Sequence, residues 1–291
     1  MTRILYVILS LLLLTACHSN RGEMATGNAV YYWRTDLRLD STERAFLKQY
    51  NINKVYCRYF DVVMDGHNPM PNATLSFSDT LPEGIEMIPT VYITEDCMHE
   101  YHEDLAEKIV DRIVQMNETN DIRGVSEIQI DCDYTARSRT NYYRFLKAME
   151  SGEWRTKGGG KRKISTTIRL HQLSMPAPPV DYGVLMLYNT GDPRRFTERN
   201  PILDIRDVKP YLSRLDDYPL PLAAAYPVYQ WQRHIHGVTI THEVAAEEIL
   251  RVKQAAEQER RSLRQTIITY HLDKENINRY TPEDYEKIYH H

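Results

Sequence analysis

Two carboxylates stand two residues apart at the end of an alternating run, Glu127-Ile128-Gln129-Ile130-Asp131-Cys132-Asp133. Side chains alternate between the faces of a strand. Ile128, Ile130 and Cys132 therefore share one face, and Glu127, Gln129, Asp131 and Asp133 share the other. Neighbouring carboxyls on one face raise each other's proton affinity, which suits proton transfer or the binding of a cation. The same parity puts Thr167, Arg169 and His171 on one face of a second run, and Met186 and Tyr188 on one face of a third. Arg34 and Asp36 share a face, as do Tyr56 and Arg58, with Asp61 just beyond. Tyr270 and His271 end the last run, one on each face. If these strand ends meet, Arg34, Arg58 and Arg169 converge on Asp131 and Asp133. Such a set is either a neutralised structural network or a grip on an acidic or hydroxyl-rich ligand.

The elements needed to bring them together are legible as strands alternating with helices. Strand patterns run over Ala29–Thr35, Lys54–Phe60, Glu86–Thr94, Glu127–Asp133, Lys163–His171, Gly183–Asn189, Leu222–Tyr229 and Arg264–His271. Helical spacing falls between most of them, at Ser41–Tyr50, Glu103–Glu118, Arg139–Met149, Ile205–Leu215 and Thr241–Glu259. Thr281-Pro282-Glu283 opens a last short helix. Eight strands alternating with helices over residues 29–291 predict an α/β fold, a single-domain (β/α)8 TIM barrel. In that fold the chemistry sits at the carboxyl ends of the strands, where the polar residues above are found. A doubly wound open sheet is the rival, but no glycine-rich phosphate turn follows the first strand. Gly158-Gly159-Gly160-Lys161 follows a helix and precedes a strand, so it reads as a flexible loop.

Composition narrows the function classes. The chain has 291 residues, 36 Lys+Arg against 40 Asp+Glu, and a net charge of −4. With no basic block, nucleic acid is excluded as a partner. The 42% apolar content is enough for a large core. Tyrosine is abundant, at 21 residues against 5 Phe, which suits half-buried strands and wet aromatic surfaces. Cys57, Cys97 and Cys132 have neither disulfide nor zinc spacing. His99-Glu100-Tyr101-His102 is one residue short of a helical zinc motif. No metal or other cofactor is expected.

The first residues read as an export signal. Arg3 precedes an apolar run, Ile4 to Leu14, too short to span a bilayer and of signal-peptide length. Leu14-Thr15-Ala16-Cys17 resembles a bacterial lipobox, in which cleavage precedes a lipidated cysteine. Residues 1–16 are then a lipoprotein signal peptide, Cys17 carries the lipid, and residues 17–28 form a polar tether. The expected location is the bacterial cell envelope, with the membrane as a partner through the lipid anchor.

Asp131-Cys132-Asp133, together with Met186-Leu187-Tyr188-Asn189, resembles the barrel glycoside hydrolases of the chitinase type. That family carries D-x-D-x-E on its fourth strand and M-x-Y-D or M-x-Y-N on its sixth. By this resemblance Asp131 and Asp133 match the two aspartates, and Tyr188 and Asn189 match the sixth-strand pair. Thr135 stands where the family has its catalytic Glu, and a Thr cannot protonate a glycosidic oxygen. The chain as a whole resembles bacterial lipoproteins with a glycoside-hydrolase-like barrel. The resemblance implies action on envelope glycans through strand-end carboxylates. Glycoside hydrolysis needs two carboxyl groups, one protonated and one ionised. Asp133 is the candidate acid, made more basic by Asp131, with Asp61 or Glu95 as the second carboxylate and Tyr188 beside them. Arg34, Asp36, Arg58, Arg169, His171, Asn189 and His271 are candidate binding residues, and Tyr229, Trp231 and Tyr270 could stack on sugar faces. The alternative is a non-catalytic glycan-binding or scaffold protein on the same barrel.

Overall fold

Alternating inward and outward side chains close eight parallel strands into a barrel, seen in a computed structural model that describes residues 26–155, 161–192, 198–235 and 238–290. The strands are β1 (Gly27–Tyr32), β2 (Ile52–Asp65), β3 (Glu86–Ile93), β4 (Glu127–Cys132), β5 (Lys163–Ile168), β6 (Tyr182–Met186), β7 (Leu222–Pro227) and β8 (Thr266–Tyr270). Each pairs with the next, and β8 returns to β1, so no edge is left open within the barrel. The expected (β/α)8 barrel is the architecture found.

The outer ring contains α1 (Ser41–Gln49), α2 (Leu105–Thr119), α3 (Arg139–Ser151), α4 (Ile205–Leu212), α5 (Ala246–Glu259), α6 (Lys274–Ile277) and α7 (Pro282–Tyr289). In α3, Tyr142, Phe145, Leu146 and Met149 recur at helical spacing, and all four are buried. Asp40 and Glu43 form a capping box at the start of α1, each side chain accepting a backbone N–H at 2.9 Å. Replacing Asp40 by Ala should cost about 1 kcal/mol through the lost cap.

Several boundaries move for identifiable reasons. The fifth strand ends at Ile168, and Leu170–Ser174 turns into a short 3-10 helix. Helix α5 starts at Ala246 rather than Thr241. Thr241 instead belongs to a hairpin, Trp231–Ile235 paired antiparallel with Val238–His242, inserted after β7. Its β-branched run Val238-Thr239-Ile240-Thr241 favours a strand over a helix. A second addition, Asn68–Asn72, pairs antiparallel with the long end of β2.

The barrel interior is unusually polar below the mouth. Glu127 accepts from the Ser165 hydroxyl at 2.6 Å and pairs with Lys54 at 3.1 Å. Tyr56 and Tyr182 share a hydrogen bond of 2.7 Å, and Tyr31 donates to Gln129 at 2.8 Å. Buried polar groups are tolerated when their bonds are made, and tyrosine fills the space while supplying a hydroxyl. Gly183 lets β5, β6 and β7 close together: a Cβ there would lie 2.7 Å from Ile168 Cγ1. Cys57, Cys97 and Cys132 are free and buried, in keeping with core roles.

Candidate functional site

The end of β4 and the residue following β5 meet at the barrel mouth. Asp131, almost fully buried, accepts from the Thr167 hydroxyl at 2.6 Å and from Arg169 Nη2 at 3.2 Å. Arg169 Nε donates to Asp133, whose side chain is 48% exposed. One guanidinium thus ties two carboxylates together. Burial pushes the Asp131 carboxyl above the usual aspartate range, with Arg169 opposing and Asp133 adding to the rise. Burial rather than a neighbouring charge is the main cause of that rise. Burial works against the Arg169 cation, but Asp131 and Asp133 more than offset it and hold its pKa above the usual arginine value.

Asp133 and Arg169 form part of the wall of an open cavity of about 530 Å³. The rest of its lining comes from Leu170 and His171 after β5, Met186 and Tyr188 to Gly191 around the end of β6, Pro201, Tyr211 of α4, and Trp231 of the hairpin. Asn189 turns the chain there with φ of +53°, a left-handed conformation that Asn enters more readily than most residues. Its Oδ1 accepts from the Tyr229 hydroxyl at 2.5 Å. Burial pushes the His171 imidazole below its ordinary value, so it stands neutral at pH 7.

Tyrosines plug the axis beside this cavity. Tyr188 stacks on Tyr270 with ring centroids 4.9 Å apart, and Tyr229 meets both edge-on. Trp33 and Tyr31 extend the cluster from β1 and the residue beyond it. The Tyr188 hydroxyl and Arg169 Nη1 are buried with no hydrogen-bond partner among the described residues. The cavity consequently sits over the β4–β7 sector rather than over the barrel axis.

Not every expected residue arrives. Arg34 does not converge on Asp131, which corrects the parity reading of the first strand. Tyr31 and Trp33 point into the mouth, so Arg34 points out, over the Tyr32 ring and 2.7 Å from Glu43 of α1. Asp36 lies in a short ladder and accepts from Ser76 Oγ at 3.0 Å, away from the cavity. His271 is directed outward near Asn276, and burial pushes its pKa down. Arg58 is turned onto Asp61, with a 2.7 Å bond from Nε, and both stay outside the cavity lining.

Glu95 follows β3 and receives the Thr135 hydroxyl at 2.8 Å. It also meets His99 Nε2 at 2.8 Å. Burial pushes the Glu95 carboxyl up, but hydrogen bonds from Ser138, Thr135 and His99 outweigh it and leave it below the usual glutamate range. Residues the parity reading missed are Tyr211, Pro201 and Thr190. All three lie outside any strand, so strand alternation gives no signal for them. Cys17, the signal segment and the glycine loop at 158–160 lie outside the described residues. Among the described residues no group of three His, Cys, Asp or Glu could hold a metal, and no helix is long and apolar enough to cross a membrane.

No protein-family model matches the chain, and no curated protein sequence does. Solved structures do. The spore cortex-lytic enzyme SleL of Bacillus cereus superposes with a TM-score of 0.57 at 14% identity, covering 92% of this chain and 74% of that one. A class V chitinase from Nicotiana tobaccum gives 0.58 at 10% identity, covering 86% and 95%. A xylanase-α-amylase inhibitor protein gives 0.53 at 12% identity, covering 91% and 98%. Enzymes and an inhibitor thus share one scaffold, and what this chain has in common with all three is a glycoside-hydrolase-like (β/α)8 barrel.

Proposed function

We propose that the mouth cavity binds a carbohydrate without hydrolysing it, in a protein held at the bacterial cell envelope by a lipid on Cys17. The observation that carries the first part is the Asp131–Arg169–Asp133 bridge. Among the described residues the cavity wall presents one carboxylate, Asp133, and that group is already engaged as an acceptor by a guanidinium. Hydrolysis by an acid and a second carboxylate needs both to face the sugar. Asp61 is occupied by Arg58, and Glu95 by Thr135 and His99. The size of the cavity and its mix of aromatic and polar walls suit one or two sugar rings. Solved neighbours include a chitinase bound to NAG4 and an inhibitor protein bound to trehalose, which supports a sugar as the ligand class.

Hydrolysis is the second reading, and one contact favours it. The Glu95 carboxylate stands 2.8 Å from the hydroxyl of Thr135, close to where the resemblance places a catalytic Glu. Its depressed pKa suits a base rather than an acid. Screening a panel of bacterial and host polysaccharides for both saturable binding and released reducing ends separates the two. Binding without release is expected. Release that disappears in Glu95→Gln establishes hydrolysis instead.

A further inference from the structure

We propose that the cavity selects sugars bearing a free, protonated amine over their N-acetylated and carboxylated counterparts. This rests on the carbohydrate-binding reading and names the ligand class within it. The first observation is a free oxygen. Arg169 Nε engages Asp133 Oδ1, and Asp133 Oδ2 makes no hydrogen bond among the described residues. Asp133 is half-exposed and lies on the cavity wall. An ionised carboxylate only accepts, while an ammonium group only donates, with three N–H bonds. A charge-assisted bond between them is roughly twice as strong as a neutral one.

The second observation is the balance of charge. Asp131 and Asp133 share one guanidinium, and His171, its pKa lowered by burial, adds no positive charge at neutral pH. Even with Asp131 protonated, Arg169 and Asp133 only cancel. Among the described residues of the wall, a uronate or sulfate would meet no positive excess and would face a free carboxylate oxygen.

The third observation concerns the acetamide. Its carbonyl accepts a hydrogen bond, and the wall donors Asn189 and Thr190 serve it no better than they serve a ring hydroxyl. The two unpartnered donors there, Arg169 Nη1 and the Tyr188 hydroxyl, are buried beneath the surface and cannot be reached as the side chains stand. Trp231 and Tyr211 meanwhile offer rings against which a sugar face can lie, and an aromatic face also attracts a cation. Asn189 and Thr190 can serve hydroxyls of any of the three sugars, so the discrimination falls to Asp133.

Titration calorimetry on the full-length protein at about pH 7, where an amine is still largely protonated, tests this, with tetramers of glucosamine, N-acetylglucosamine and a hexuronate as probes. Glucosamine tetramer should bind about tenfold tighter than the acetylated one, and the hexuronate weakest. Raising the salt should shrink the preference. Asp133→Asn should bring the two amino-sugar affinities together. The variant chain keeps a negative net charge, so loose attraction of a cation to the whole protein would survive it. The salt series on the unaltered protein reads the same charge should the variant fold poorly. Equal or reversed preference, or a preference that survives both salt and Asp133→Asn, overturns the proposal while leaving carbohydrate binding standing. Binding of none of the three overturns both.

Discussion

Arg169 Nη2 lies 3.2 Å from Asp131 Oδ1, joining the residue after β5 to the buried end of β4. A buried charge that loses its partner is costly, while removing the pair together is often nearly neutral. Arg169→Met should therefore destabilise the fold by about 3–5 kcal/mol. Adding Asp131→Asn to it should recover most of the loss. Urea unfolding of the two single variants and the double variant measures the coupling. Additive losses would show that the bridge does not tie these residues energetically.

The pH dependence of stability follows from Asp131. Its folded pKa is raised above the unfolded value, so the native state takes up this proton more readily than the unfolded chain. The resulting contribution is fully present below the ordinary aspartate value of about 3.9 and is lost as pH rises through the raised value. Asp131→Asn should flatten this limb, so that the difference between variant and wild type changes most just above pH 4. Unfolding midpoints across about pH 3.5–7 read it directly.

Tyr188 combines a stacked ring with an unpartnered buried hydroxyl. Tyr188→Phe keeps the stack and removes a polar group that has no bond to lose, so stability should change by less than about 0.5 kcal/mol or rise. Tyr188→Ala removes the stack on Tyr270 and should cost about 3–5 kcal/mol. Comparable losses in the two variants would mean that the hydroxyl has a partner in solution.

Trp231 sits on the hairpin, half-buried against the core, with its ring 4.4 Å from that of His242. Trp231→Ala should lower the unfolding midpoint modestly and weaken glycan binding at least tenfold, as expected of an aromatic anchor at a binding surface. Unchanged affinity would place the ligand elsewhere on the mouth.

The anchor has its own test. Cys17→Ala should abolish labelling of the protein by a radioactive fatty acid in a bacterial host and release it from the membrane fraction. Equal labelling of both forms would remove Cys17 as the lipid site.

Strand alternation made the barrel and the Asp131–Asp133 face legible, because the polar and apolar faces of β4 and β5 are cleanly separated in the sequence. It failed at the first strand, where Tyr31, Tyr32, Trp33 and Arg34 are amphipathic on both faces and parity alone cannot choose an inward side. It also missed the hairpin at Trp231, whose two strands pair with each other and not with the barrel. The partners of the site carboxylates were equally hidden: whether Arg169 meets Asp131, or Glu95 meets Thr135, is settled by tertiary distance and not by spacing along the chain.

The central claim is that sugar enters the cavity and leaves uncut. The best-binding glycan, incubated for days with stoichiometric protein in ¹⁸O-labelled water and then weighed by mass spectrometry, tests it most directly. Intact glycan without ¹⁸O, alongside saturable binding that Trp231→Ala weakens, is the predicted result. Shortened products carrying one ¹⁸O, formed by the wild type and not by Asp133→Asn or Glu95→Gln, would contradict it.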